Sequence, residues 1–240
     1  MESYILVGIV AFTGALLQSI TGFGLGMVCI TLLPFFLESY SMCLAITTIA
    51  GFLMALFAAI RLRKHVEWRL LAAPILGYTV IIFFTVWLSS VSPDAILRKL
   101  LGCFLIAMAV YSTAMAGKIK IKPSFRNGVI AGSAGGVLSG LFSAGGAPIA
   151  IYMLPASKEN QTYIANMQMY FTFTAGIALT TRCLNGQVTG EALSYTAVVV
   201  VMIILGIALG SKIFNKLNAD NLRKAVYVAI GLSGLLLIFK

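Results

Sequence analysis

Gly140-Leu-Phe-Ser143-Ala-Gly145-Gly146-Ala-Pro148 interrupts an apolar run, with apolar helix expected on both sides, over 127–139 and 147–156. Adjacent glycines before a proline stop one helix and start another: glycine is a poor helix interior residue, and proline fits a first turn, where no N–H is needed. A second break, Gln18-Ser-Ile-Thr21-Gly22-Phe23-Gly24-Leu-Gly26, lies between apolar helix at 4–19 and 25–37. Each break is followed nine or ten residues later by Leu-Pro, at Leu33-Pro34 and Leu154-Pro155. Two helix breaks at matching places in two halves of a hydrophobic chain point to a transporter binding site. The competing reading is close helix packing, and it suits Gly132, Gly136 and Gly140, which recur at four-residue spacing.

The rest of the chain is membrane material. Of 240 residues, 60% are hydrophobic and 10% charged, and the mean hydropathy is +1.00. A soluble domain carries about 25% charged residues. Met1-Glu2-Ser3-Tyr4 has no basic n-region and no small-residue cleavage site interrupts the first apolar run, so neither a cleaved signal peptide nor a separate soluble domain is expected. The net charge of +10 comes from basic residues in short loops beside apolar segments. Such residues set topology, and no basic domain exists to grip nucleic acid. Cys29, Cys43, Cys103 and Cys183 lack metal-ligand spacing and read as apolar packing residues. The single histidine, His65, lies in a basic loop. One histidine cannot build a typical zinc site or a Ser-His-Asp triad, so no metal, no cofactor and no enzyme activity are expected.

Apolar segments fall at 4–37 (broken), 42–60, 70–90, 97–117, 127–156 (broken), 161–181, 191–211 and 221–239. The unbroken ones run 19–21 residues, enough for a ~30 Å hydrocarbon core. Neither arm of the second break looks long enough to span. Three loops are strongly basic: Arg61, Arg63, Lys64 and Arg69; Lys118, Lys120, Lys122 and Arg126; Lys212, Lys216, Arg223 and Lys224. All three should be cytoplasmic. Parity then requires each broken segment to be a hairpin that returns to the side it left. The expected fold is an all-α integral membrane protein of two inverted repeats, each a broken-helix hairpin plus three crossings. The eight segments make about ten helical pieces. The repeats occupy 1–117 and 127–240, joined by a cytoplasmic linker at 118–126, and both termini are external. Arg98 and Lys99 fall on the outer side against the charge rule.

The residues resemble the sulfite exporter TauE/SafE family of bacterial transporters over nearly the whole chain. The similarity lies in both glycine breaks, Val66-Glu67-Trp68-Arg69, Arg98-Lys99-Leu-Leu-Gly102, and Leu209-Gly210-Ser211-Lys212 followed by Leu222-Arg223-Lys224. It implies a multi-pass protein of the bacterial cell (inner) membrane that transports a small sulfur-containing anion, such as sulfite or an organosulfonate, with export the expected direction, although members differ in substrate and direction. The first break, Thr21-Gly-Phe-Gly24, is less glycine-rich than in many members.

A helix that starts at mid-membrane leaves its first N–H groups unpaired, and its dipole adds partial positive charge. Two such N-termini, after Gly24 and Gly146, would cradle a small oxyanion without burying a lysine or arginine. The expected substrate-binding set is Gln18, Thr21, Gly22, Gly24, Ser139, Ser143, Gly145, Gly146, Asn166 and Tyr170. Asn166, Tyr170 and Thr174 share one face of 161–181, with Thr47, Thr48 and Gly51 on the corresponding segment of the first half. Arg182 reads as an interfacial anchor or an anion lure at the outer mouth. The leading function is a secondary transporter of a small anion in a lipid bilayer, and the alternative is an anion channel or facilitator for small oxyanions. The sequence leaves direction, coupling ion and oligomeric state open. With single cysteines at Ser3, Ser124 and Lys240 in a cysteine-free background, an impermeant thiol reagent on intact cells should label positions 3 and 240 and spare 124. Labelling of 124 alone would overturn the topology.

Overall fold

The computed structural model describes residues 2–111, 122–157, 159–213 and 233–237, with only the backbone of Ile20, Thr21 and 211–213. The described residues contain no strand and ten α-helices. In order these are α1 (Glu2–Thr21), α2 (Leu25–Leu32), α3 (Tyr40–Leu62), α4 (Trp68–Val91), α5 (Asp94–Val110), α6 (Phe125–Phe142), α7 (Gly146–Ala156), α8 (Asn160–Leu184), α9 (Gly190–Ser194) and α10 (Thr196–Ile213). A short helical stretch at 233–237 follows. Most of the expected last segment, 221–239, lies outside the described residues, as do linker residues 118–121 and the third basic loop's side chains.

Four helical stretches are long and apolar enough to cross a membrane: Glu2–Ser19, Tyr40–His65, Trp68–Val91 and Gly190–Gly210. Only the described residues enter this count, so most of the expected segment 221–239 and the end of 97–117 lie outside it. Helix α8 has 25 residues, about 37 Å at 1.5 Å each, but its polar side chains lower its hydropathy. Neither arm of the second break, α6 or α7, is among the four. Helix α6 runs 18 residues, about 27 Å, straight through Gly132, Gly136 and Gly140.

Those glycines stay helical because each is seated against α4. A Cβ on Gly132 would lie 2.0 Å from the Pro74 carbonyl oxygen, one on Gly136 3.1 Å from that of Tyr78, and one on Gly140 2.0 Å from Thr85 Oγ1. From the other side, a Cβ on Gly77 would lie 2.2 Å from the Val129 oxygen. The backbones therefore touch, as small-residue stripes allow in lipid, where packing rather than water expulsion joins helices. The residue numbers rise together, so α4 and α6 are parallel. Helices α1 and α10 pair the same way: Gly206 meets Phe12 and Ala15, and Gly210 meets Leu16 and Ser19. Helices α3 and α8 run antiparallel, with Phe52 against Gly176 and Thr48 against Arg182.

Both breaks turn the chain back. Tyr152 Oη on α7 donates to the Ser124 carbonyl at 3.5 Å, and Gly145 sits beside Gly135, so α7 returns along α6. Gly14 meets the Leu25 backbone, so α2 doubles back on α1. Two ends of the molecule result. At one, Tyr4 stacks on Tyr195, Tyr40 N–H donates to Asp94 at 2.9 Å, and Gln187 donates to Ser89 at 3.1 Å. At the other lie the exposed Arg61, Arg63, Lys64, Arg69, Lys122 and Arg126. Arg98, the exception to the charge rule, sits at the first end and donates to the Pro34 carbonyl at 2.6 Å and to Leu37 and Glu38. It closes the end of the α2 hairpin arm, a structural task that accounts for a cation there. Around the outside, large apolar side chains such as Ile9, Phe57, Val80, Phe83 and Ile130 stand exposed, a surface suited to lipid.

Gly132→Leu should abolish folding, and Gly132→Ala should cost about 1–3 kcal/mol through overpacking. Gly190→Ala, where an added Cβ meets nothing within 4 Å, should leave melting in detergent unchanged. Equal melting temperatures for the two alanine variants would refute the seated-stripe account.

Candidate functional site

The two breaks meet. A Cβ on Gly26 would lie 2.3 Å from the Ser143 carbonyl oxygen, and one on Gly146 lies 3.2 Å from Phe171 and 3.5 Å from Phe23 Cβ. Between them is a cavity of about 80 Å³ walled by the breaks, α3, α4 and α8. Of the expected site residues, Gln18, Gly24, Ser139, Ser143, Gly145, Gly146 and Tyr170 line it, together with Thr47, Thr48, Gly51 and Thr174.

Two expected residues, Gly22 and Asn166, stand elsewhere. Gly22, at φ 84°, does not line the cavity; its carbonyl accepts from Gln168 Nε2 at 3.1 Å. Asn166 is fully buried away from it, accepting from Glu67 N–H at 2.8 Å and donating to Ser157 Oγ at 3.5 Å. It ties the α3–α4 loop to α8, the helix-to-helix role that competes with ligand binding for any polar residue at depth. The side chain of Thr21 lies outside the described residues.

Polar groups around the cavity are mostly committed. Gln18 Oε1 accepts from Leu25 N–H at 3.1 Å, so this side chain caps α2. Tyr78 Oη donates to Ser139 Oγ at 2.8 Å. Ser143 adopts a left-handed φ of 50°, a conformation that costs a non-glycine residue about 1–2 kcal/mol. A serine side chain there places its hydroxyl 3.0 Å from Thr48 Oγ1. Two hydroxyls are uncommitted: Tyr170 Oη and Thr47 Oγ1 are buried and have no hydrogen-bond partner, though both residues line the cavity. An unpaired buried hydroxyl costs about 1–3 kcal/mol. A ligand that accepts both bonds recovers that cost.

Arg182 overturns the expectation of a site without a buried cation. It is completely buried, one layer behind the cavity. Nη1 donates to Gln187 Oε1 at 2.7 Å and Nε to Thr48 Oγ1 at 3.1 Å. Nη2 donates to the carbonyls of Ser139 at 3.1 Å and Gly140 at 2.9 Å, and reaches Ser143 Oγ at 3.4 Å. Every partner is neutral. A guanidinium keeps its proton, so among the described residues the charge is balanced by the carbonyl end of α6 and by no carboxylate. Sequence reading placed Arg182 at a helix end and missed its depth; the signal was a polar face, Thr174, Thr181 and Arg182, on a helix that also carries Asn166 and Tyr170.

Among the described residues no carboxylate lines the cavity, and the six acidic residues there, Glu2, Glu38, Glu67, Asp94, Glu159 and Glu191, are all exposed. Among the described residues no cluster of His, Cys, Asp or Glu could hold a metal. Cys29 and Cys43 are buried as expected of packing residues, whereas Cys103 and Cys183 are exposed.

The chain is 24% identical over 246 residues, 97% of its length and 94% of the other's, to a protein of Cupriavidus necator named "Probable sulfite/organosulfonate exporter TauE". No solved structure matches. The family model for sulfite exporter TauE/SafE matches residues 6–237, and the chain belongs to this family of membrane transporters.

Proposed function

We propose that this protein is a secondary transporter that exports a small sulfur-containing anion, such as sulfite or an organosulfonate, bound in the cavity between the two breaks. The observation that carries the reading is the pair of orphaned hydroxyls, Tyr170 and Thr47, in a cavity backed by the unneutralised Arg182. The α7 N-terminus adds partial positive charge: Gly145 and Gly146 line the cavity, and Gly145 has no side chain to cap the helix. A cavity with donors, a nearby cation and no carboxylate favours an anion over a cation or a neutral solute. The name of the Cupriavidus relative supports sulfite or an organosulfonate as the anion.

The scaffold fits two inverted repeats, 1–117 and 127–240. The hairpin α1–α2 corresponds to α6–α7, and α3 to α8. Each repeat's first helix packs parallel to the other repeat's later crossing, α1 with α10 and α6 with α4. An exchange of this kind is what a two-fold axis in the membrane plane generates, and it sets the binding site at the repeat interface. The clustered basic residues support a cytoplasmic face at the end carrying Arg61 and Arg126. The family supports a bacterial cell membrane as its location.

Two outcomes follow. Tyr170→Phe removes a hydroxyl that has no protein partner, so the ligand-free protein should melt at the same temperature or higher. Its affinity for sulfite should fall about ten-fold, the loss of one hydrogen bond to a charged group worth ~1.5 kcal/mol. Thermal-shift titration reads both; unchanged affinity would remove Tyr170 from the site.

The second concerns energy. With no described carboxylate in the cavity, export needs no side-chain proton relay. A potential of ~100 mV, inside negative, drives a monovalent anion outward with about 2.3 kcal/mol, roughly a fifty-fold gradient. Flux in proteoliposomes clamped with potassium and valinomycin at equal pH should follow the imposed potential and saturate with substrate. A flux that ignores the potential and follows a pH difference would defeat this mechanism, and a non-saturating one would indicate a channel.

A further inference from the structure

Glycine is the poorest helix former after proline, so a glycine inside a helix needs a reason. The helical Gly26 and Gly146 beside the cavity have one, as does Gly145 just before α7. An added Cβ at Gly26 would lie 2.3 Å from the Ser143 oxygen, one at Gly145 2.3 Å from the Gly135 oxygen, and one at Gly146 3.2 Å from Phe171. Gly51 is different. It lies near the middle of α3, it has no positive φ, and an added Cβ would meet nothing within 4 Å. Neither packing nor backbone conformation asks for glycine there. What lies beside it is the cavity.

Thr47 sits four residues earlier on α3, hence on the same face, and its uncommitted hydroxyl belongs to a cavity-lining residue. The cavity thus has a polar region, formed by Thr47, Tyr170 and the break, and a bare wall at Gly51 about 6 Å further along α3. From α8, Phe171 and Ala175 bring apolar surface to the same cavity. A bare oxyanion would use the first region only. An oxyanion with a short carbon substituent would use both.

We propose that Gly51 is the specificity-determining residue of this transporter: its missing side chain leaves room for the organic substituent of a short alkanesulfonate, while the sulfonate oxygens take the hydroxyls of Thr47 and Tyr170. The assignment rests on the reading of the cavity as the anion site.

The test is competition for uptake of radiolabelled sulfite into proteoliposomes by unlabelled sulfite, methanesulfonate and ethanesulfonate. It uses the natural protein, Gly51→Ala and Gly51→Val. In the natural protein all three should compete. In Gly51→Val, ethanesulfonate should lose about ten-fold or more, the scale of discrimination that added carbon atoms give in a tight apolar pocket, while sulfite loses much less. Gly51→Ala should show the same order with smaller effects, and its ligand-free melting temperature should equal or exceed that of the natural protein. Equal losses for sulfite and ethanesulfonate, no losses, or a natural protein that takes sulfite but neither sulfonate would each overturn the assignment. A lowered ligand-free melting temperature in Gly51→Ala would do so too, by making Gly51 a packing glycine. Failure of every anion, sulfite included, to compete in the natural protein would instead sink the anion-site reading itself.

Discussion

A helix interrupted inside hydrocarbon exposes backbone N–H and C=O groups that no water can satisfy, and each left bare costs several kcal/mol. Much of this molecule follows from that constraint. The two interruptions create four helix ends. Three are served by polar side chains from elsewhere in the chain. Arg182 takes the Ser139 and Gly140 carbonyls at the end of α6. Gln168 takes the Gly22 carbonyl after α1, and Gln18 takes the Leu25 N–H that begins α2. The fourth end, the start of α7 at Gly146, opens on the cavity. On the proposed reading its occupant is an anion, which the dipole, the spare hydroxyls and the cation behind them favour.

The same constraint explains why α8 is the most polar long helix and still lies at the centre. Its Gln168, Thr174 and Arg182 are all buried, and Gln168 and Arg182 reach the breaks from a helix that itself stays unbroken. Helix α3 faces it with Thr47, Thr48 and Gly51. The polar groups are thus enclosed by protein, while Ile9, Phe57, Phe83 and Ile130 present apolar surface outward. Close approach of α4 to α6 and of α10 to α1 fixes the hairpins relative to this central pair, because glycine contacts at 2.0–2.8 Å from an imagined Cβ leave no room for a shifted register.

Charge is handled without carboxylates. A buried guanidinium is costly to desolvate, and breaking its hydrogen bonds would cost more. Here it is held by five neutral acceptors, so its field is not cancelled locally. On the proposed reading that potential is useful beside the cavity, and among the described residues no carboxylate lies there to cancel it.

Membrane class, the two breaks, the reversal of the chain at each, and most of the cavity lining were legible in the sequence. Hydropathy, loop charge and the glycine-proline pattern are local properties, and parity turns them into topology. Gln18, Ser139, Ser143, Gly146 and Tyr170 were legible because they lie at a break or at helical spacing on one polar face. Tertiary structure alone decided three matters. It separated Asn166 from Tyr170, which share a helix face in the sequence, because only packing shows that Asn166 meets the α3–α4 loop. It carried α6 past Gly140 to Phe142, because the contact of Gly140 with Thr85 of α4 is distant in the chain. And it buried Arg182 behind the site, because the Ser139 and Gly140 carbonyls that receive it lie about forty residues away and become available only where helix α6 ends.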